Sequence, residues 1–252
     1  MINADFSYTG GELELFRHAV NWKGYFASQL RPFIKRRVIE VGAGIGTTTA
    51  FLCDGRQERW VCVEPDKDLA EKLNETLQQG GLPGCCTVRC GRVDTVAASG
   101  ELFDTVLYID VLEHIEADRD ELIKAASLLT ENGVLIVLAP AFNMLFSPFD
   151  EAVGHFRRYT RSQLKALTPP KFHLTRGFYL DSIGFLASLG NRALLSRSMP
   201  TARQIQVWDR LMVPASRIID PLVRYSFGRS VIAIWQQHQG RESPLSTSGQ
   251  NA

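Results

Sequence analysis

The sequence predicts an α/β protein built on a doubly wound, mostly parallel sheet. Candidate strands and helices alternate through the first 140 residues. Several of the strands are apolar at nearly every position, a pattern that requires cover on both faces of the sheet. Right-handed crossovers between such strands then wind the chain in both directions from the first strand.

Residues 10–30 read as one helix, with Leu13, Phe16, Val20, Tyr25 and Leu30 near one face, ended by Arg31-Pro32. Arg37–Val41 is a short β-branched strand stopped by Gly42, and a helix over Thr47–Cys53 follows. Trp60–Glu64 is the second strand and Lys67–Gln79 a helix of good formers, broken by the Gly80–Gly84 cluster. Cys86–Cys90 and Thr105–Ile109 are the third and fourth strands. Arg119–Leu129 is an amphipathic helix, Glu131-Asn132-Gly133 a turn, and Val134–Ala139 the fifth strand. After Pro140 the rhythm changes. Residues 141–160 form a loop rich in aromatics and ions, Ser162–Leu167 a short helix, and Phe172–Phe178 a sixth strand. Residues 181–225 read as a helical insertion before a last strand, Ser230–Trp235. The expected organisation is one domain over residues 1–240, with a helical cap over 1–34, an insertion or lid over 181–225, and a disordered polar tail over 241–252.

Bulk properties exclude little but are consistent. The 252 residues, 45% hydrophobic and 22% charged, can bury a large core without disulfides or metals. A formal net charge of +1 gives no global attraction to nucleic acid. No signal peptide or membrane span is read: the longest uncharged stretch, Asn132–Phe149, carries Gly133, Pro140 and Pro148. Five cysteines, an odd number, fit a reduced cytoplasmic protein, and Cys85, Cys86 and Cys90 lack metal-site spacing.

Three motifs carry chemistry. Glu40-Val41-Gly42-Ala43-Gly44-Ile45-Gly46 joins a strand to a helix. Its glycines admit close ligand approach, and the helix start offers free N–H groups. A dinucleotide fold shows a similar loop, but its third glycine would fall on Thr47. Glu64 ends the second strand, where a carboxylate faces the crevice and can accept two hydrogen bonds from a ribose diol. Asp110-Val111-Leu112-Glu113-His114-Ile115 follows the fourth strand, and Asp110, Glu113 and His114 cluster if the stretch is helical.

With these motifs in order, the chain resembles the class I S-adenosylmethionine (SAM)-dependent methyltransferase superfamily. The resemblance rests on VIEVGAGIGTTTAFL, VCVEPD, FDTVLYIDVLEHI and LLTENGVLIVLAP, and it covers roughly residues 25–140. FDEAVGHFRRYTRSQL and YSFGRSVIAIWQQ are similar to one bacterial branch. It implies a seven-stranded sheet of order 3-2-1-4-5-7-6 with an antiparallel last strand. It also implies SAM as cofactor, lined by Gly42, Gly44 and Gly46. Glu40 would orient the loop or reach the SAM amine, Glu64 would hold the ribose, and Asp110 would lie near the methionine amine. Arg92 and Val93 stand at the adenine position; many members carry an acid where Arg92 stands, which leaves backbone contacts. Trp22 and Tyr25 either close over the cofactor or pack in the core.

Methyl transfer is an in-line displacement, so positioning supplies much of the rate, and a general base is needed only for a protic acceptor. His114 and His155 are the candidate bases; His114 reads equally as a structural partner near a helix start. Some quinone O-methyltransferases of similar motif use a divalent cation there, but two acids and one histidine make an incomplete shell, and no metal is expected. Asp150, Arg157, Arg158 and Tyr159 read as the acceptor wall, or as a salt-bridge network anchoring the loop. The insertion carries six arginines and three aspartates as its only charges. Arg203, Arg210, Arg217 and Arg224 share one face, read as solvated, as a homodimer contact, or as attraction to anionic lipid or substrate. Pro214 and Pro221 predict a break there. Ile183, Phe185, Leu186 and Leu189 are candidates for an apolar acceptor wall. The expected function is methyl transfer to an O, N or C atom of a small-molecule acceptor. The competing readings are a nicotinamide-dependent oxidoreductase and a non-catalytic SAM-binding domain.

Overall fold

Successive residues of each central strand feed two different cores, as the alternation of side chains across a sheet dictates. On one face lie Val38, Leu107, Ile136 and Ile234; on the other lie Ile39, Val106, Leu135 and Trp235, and every one of these is fully buried. Truncating such a side chain, Ile136→Ala for example, costs ~2–5 kcal/mol.

The computed structural model describes residues 11–192 and 200–237. Elements run α1 (Glu12–Phe16), α2 (Val20–Leu30), β1 (Arg37–Val41), α3 (Thr49–Leu52), β2 (Arg59–Glu64), α4 (Lys67–Gln78), β3 (Cys86–Cys90), α5 (Val93–Ala97) and β4 (Phe103–Ile109). Then come α6 (Asp118–Ser127), β5 (Leu129–Pro140), α7 (Pro148–Ala152), α8 (Arg161–Ala166), β6 (Phe172–Leu180), α9 (Ser182–Arg192), α10 (Ala202–Val207), α11 (Val213–Leu222) and β7 (Ser230–Gln237). The sheet order is β3-β2-β1-β4-β5-β7-β6, as the resemblance implies, with β7 antiparallel to both neighbours. Helices α2, α4 and α10–α11 contribute to one core, and α5, α6 and α8 to the other. The expected tail at 241–252 and the first ten residues of the cap lie outside the described residues. No helix among the described residues is long and apolar enough to cross a membrane.

Four local expectations change. The helix read over residues 10–30 is two helices. Lys23 Nζ reaches back to the carbonyls of Phe16 (2.5 Å) and Arg17 (3.3 Å) at the end of α1, where Phe16 O also accepts from Ala19 N–H (3.0 Å). The turn expected at Glu131–Gly133 sits within β5 as an irregularity: pairing with β4 jumps from Leu129 to Val134 while its partner advances from Phe103 to Thr105. The helix after the glycine turn starts at Thr49 rather than Thr47. The break expected at the prolines is absent, because a π-helical turn, Trp208–Met212, links α10 to α11. Its wide ring, closed by Val213 N–H donating to Trp208 O, delivers Pro214 to the first turn of α11, where no N–H is needed. Pro221 falls near the end of α11.

Among the described residues, the charges of the insertion divide cleanly. Arg203, Arg210, Arg217 and Arg224 are exposed, whereas Asp181, Asp209 and Asp220 are buried. Asp209 accepts from the backbone N–H groups of Asn21 (3.2 Å) and Trp22 (2.9 Å), capping the start of α2 from a distant part of the chain. Asp220 does the same for α9, accepting from the N–H groups of Asp181 (2.8 Å) and Ser182 (3.0 Å), and it also accepts from Tyr25 Oη (2.8 Å).

Candidate active site

The carboxyl ends of β1, β4 and β5, with Arg229 and Ser230 at the start of antiparallel β7, edge a cavity of about 200 Å³. Ligands are expected there in open α/β sheets, where the order of strands reverses. The floor is the glycine turn Gly42–Ile45. Asp110, Glu113 and His114 form one wall, His155 and Arg158 another, and Trp22, Lys23, Phe16 and Trp208 the roof.

The glycine turn is bonded to the end of β2. Gly42 and Ala43 N–H donate to Val63 O (2.8 and 3.1 Å), and Gly44 N–H donates to Glu64 Oε2 (2.8 Å). Glu64 Oε1 accepts from Asp66 N–H (3.0 Å). Burial pushes the Glu64 carboxyl up, and those two backbone bonds pull it back. Gly42 and Gly44 hold φ of +69° and +55°, in the left-handed region. A Cβ on Gly42 would stand 2.6 Å from Val111 Cγ2, so the turn also packs against the Asp110 motif.

Glu40 lies beneath this floor and does not line the cavity. It accepts from Thr49 Oγ1 (2.8 Å) and Trp60 Nε1 (2.9 Å), which assigns it to orienting the loop rather than to reaching a ligand. Gly46 packs against Leu73 and Leu82, away from the cavity. Arg92 is exposed and Val93 buried at the start of α5, outside the cavity wall. Tyr25 is core, bonded to Asp220, while Trp22 lines the roof.

Both candidate histidines face the cavity, their rings edge to face with centroids 4.6 Å apart. His155 Nδ1 is 2.8 Å from Asp150 Oδ1. A carboxylate there fixes the proton on Nδ1 and leaves the Nε2 lone pair toward the cavity. Burial would raise the Asp150 carboxyl, but hydrogen bonds from His155 and Arg158 hold it below the usual carboxylate range. His114 is lowered to about 4 by burial and by His155, and its ring bonds to the Gly154 backbone, so it stays neutral and braces the loop.

The acceptor wall expected at 150–159 is only partly a wall. Asp150 is fully buried behind His155, with its oxygens taken by His155, Ser147 and the Arg158 guanidinium (2.8 and 2.9 Å). Arg157 turns away to Asp118 (2.7 Å), and Tyr159 Oη donates to the same carboxylate (2.8 Å). Consecutive residues of this extended segment point to opposite sides, so only Arg158 of the pair can line the cavity. Ile183, Phe185, Leu186 and Leu189 do not line it either; Phe185 packs on Phe142 and Phe227.

Two charged cavity residues, Lys23 and Arg229, escaped the sequence reading, and Glu113 was read there only as a member of the Asp110 motif. Lys23, 5% exposed, is lowered to about 8 by burial against the pull of Asp209 and Asp110. Glu113 is fully buried with neither carboxyl oxygen hydrogen-bonded, and burial together with Asp110 pushes it well up. Arg229 lies over the Trp208 ring at 5.1 Å. Asp110 opens to the cavity yet is ringed by protein. Burial lifts it to about 6, with His155, Arg229 and Lys23 opposing. It also holds φ of 53°, one of three non-glycine residues (with Phe142 and Asp181) held at positive φ just beyond β4, β5 and β6. Glu113, His114 and His155 bring metal-capable atoms within 4.8 Å of one another, as do Cys53, Cys85 and Cys86; Cys90 stands apart and exposed.

Residues 39–135 match a family model described as a methyltransferase domain. The chain is 28% identical over 114 residues to the ubiquinone biosynthesis O-methyltransferase of Azorhizobium caulinodans, covering 45% of this chain and 44% of that one. It spans less than half the length of each curated relative it matches. Among solved structures it is similar to the magnesium protoporphyrin IX methyltransferase of Synechocystis PCC 6803 with bound SAH (13% identity, TM-score 0.56, 93% and 90% of the two chains). It is also similar to the cyclase SpnF (12% identity, TM-score 0.61, 92% and 95%), so the fold leaves the chemistry to the site. Residues 39–135 therefore carry the match to a methyltransferase domain, and the whole sheet has the fold of the solved methyltransferase it resembles.

Proposed function

We propose that the chain transfers a methyl group from SAM to an O, N or C atom of a small molecule. The observation that carries this reading is the bond between Gly44 N–H, in the cavity floor, and the buried Glu64 behind it, which joins the two halves of an adenosyl-binding motif. The residues fit the cofactor. A Cβ on Gly44 would occupy the cradle, 3.6 Å from Leu13. Each oxygen of Glu64 accepts one backbone N–H, which leaves lone pairs for two ribose hydroxyls. Asp110 offers a carboxylate to the methionine amine.

When bound, SAM supplies a methyl carbon made electrophilic by its sulfonium. The chain supplies alignment and exclusion of water: the roof residues Phe16, Trp22 and Trp208 are apolar and pack ring against ring. His155 Nε2 takes the proton from a hydroxyl or amine acceptor, and Asp150 steadies the imidazolium that forms. Arg158 in turn holds Asp150 ionised.

Separate calorimetric titrations with SAM and with NAD test the assignment. SAM binds and NAD does not; the opposite result overturns it in favour of an oxidoreductase. Acceptor screening by SAM consumption, followed by mass spectrometry of the product, then identifies the atom methylated.

A further inference from the structure

Three cations line the cavity, and two of them are already engaged. Arg158 forms a two-pronged pair with Asp150. Lys23 donates to the carbonyls of Phe16 and Arg17. The Arg229 guanidinium makes no hydrogen bond or ion pair among the described residues; its one specific contact is the face of Trp208. The acid that acts on it most, Asp181, is bonded elsewhere: it accepts from Gly184 N–H (3.0 Å), Ser216 Oγ (2.8 Å) and Trp208 Nε1 (2.7 Å). Contact with the ring face holds the guanidinium in the cavity wall and leaves its N–H fork unfilled, the group that receives a carboxylate or phosphate through two parallel bonds.

Position decides which ligand supplies that anion. Arg229 sits at the start of β7, and the order β1-β4-β5-β7 puts three strand spacings, roughly 14 Å, between its strand and that of the glycine turn. The glycine turn and Glu64 lie on β1 and β2, so Arg229 is on the far side of the cavity from the adenosyl end of the cofactor motif, while its charge still reaches Asp110 at the end of β4. Trp208, whose ring it covers, lines the same cavity as Phe149 and His155.

We propose that Arg229 is the anion subsite of the methyl acceptor, which is therefore an apolar molecule bearing a carboxylate or phosphate, held with its nucleophile toward His155. The proposal rests on the methyltransferase reading for the word acceptor, but the subsite itself does not depend on it. With Arg229 holding the anion and His155 facing the nucleophile in one cavity, the acceptor is selected by the distance between its charged group and its nucleophile.

Ligand-observed NMR titrations test this with matched probes: phenylacetate against phenylacetamide, and phenyl phosphate against phenol, each with and without SAH. In the wild type the anionic member of at least one pair binds ten times or more tighter than its neutral partner, and the better pair tells carboxylate from phosphate. Arg229→Gln brings the two members within about twofold, Arg229→Lys keeps part of the preference, and neither variant changes SAH affinity by more than about twofold. Equal binding of both members in the wild type, or a preference that survives Arg229→Gln, overturns the proposal. So does loss of SAH affinity in both variants, which would move Arg229 to the cofactor. Failure of SAH to bind the wild type overturns the methyltransferase reading alone, because the anion preference is measured without SAH as well.

Discussion

Glu40 offers a quantitative test of how the floor of the site is built. It is 2% exposed, and Thr49 and Trp60 both donate to one of its oxygens. Burial nevertheless pushes its carboxyl up from 4.5 to about 7. Below pH 4.5 both the folded and unfolded chains carry the proton, and the group costs nothing. Between 4.5 and about 7 the unfolded chain releases it while the folded chain keeps it, so stability falls as pH rises; above about 7 the loss is complete. The full loss is about 3 kcal/mol, and the part between about pH 5.5 and about pH 8.5 is about 2 kcal/mol. Glu40→Gln keeps the shape and one accepting oxygen but removes the titration. Urea unfolding of both proteins at those two pH values reads the difference directly. The stability gap should move by about 2 kcal/mol in favour of the variant on going to the higher pH. A gap that stays constant refutes the assignment of a buried, proton-retaining carboxyl.

Four further outcomes are expected. Glu64→Ala weakens SAM binding by ~1–3 kcal/mol in calorimetry, and unchanged affinity removes Glu64 from the ribose role. His155→Ala lowers turnover ~10²–10⁴-fold with little change in SAM affinity, and the reverse pattern moves His155 to the cofactor side. SAM affinity falls as pH drops through about 6, where Asp110 gains its proton, and Asp110→Asn abolishes that dependence; an identical pH profile in the variant rejects it. Gly42→Ala, which sets a methyl against Val111 and strains φ, destabilises by ~1–3 kcal/mol in urea unfolding; a neutral result shows that the turn relaxes.

Periodicity and turn residues carried most of the fold. β1 and β3 fall on the expected residues, because β-branched runs bounded by glycine or proline signal locally. The seven-strand order came from resemblance, since no local pattern says which strands pair. What failed locally was decided at a distance. The break after Phe16 depends on Lys23 and on Asp209, and the unbroken run from α10 to α11 depends on a π turn that a proline count does not reveal. The site followed the same division. The glycine turn, Glu64 and Asp110 announce themselves at strand ends. Lys23 and Arg229 do not, because nothing within their own segments separates them from surface cations; only the folded sheet brings them to one cavity. Asp150 and Arg157 were legible as charged but not as turned away, since side-chain direction within a loop has no period.

Asp209 and Asp220 have a consequence for traffic. They rivet the N-terminal helices to a segment nearly two hundred positions later, and both rivets are dry. Parting the ceiling along that seam would take the donors of Asn21 and Trp22 from Asp209 and that of Tyr25 from Asp220 together. Helix α2 and the insertion therefore cover the cavity as one bonded unit, shared by both reactants.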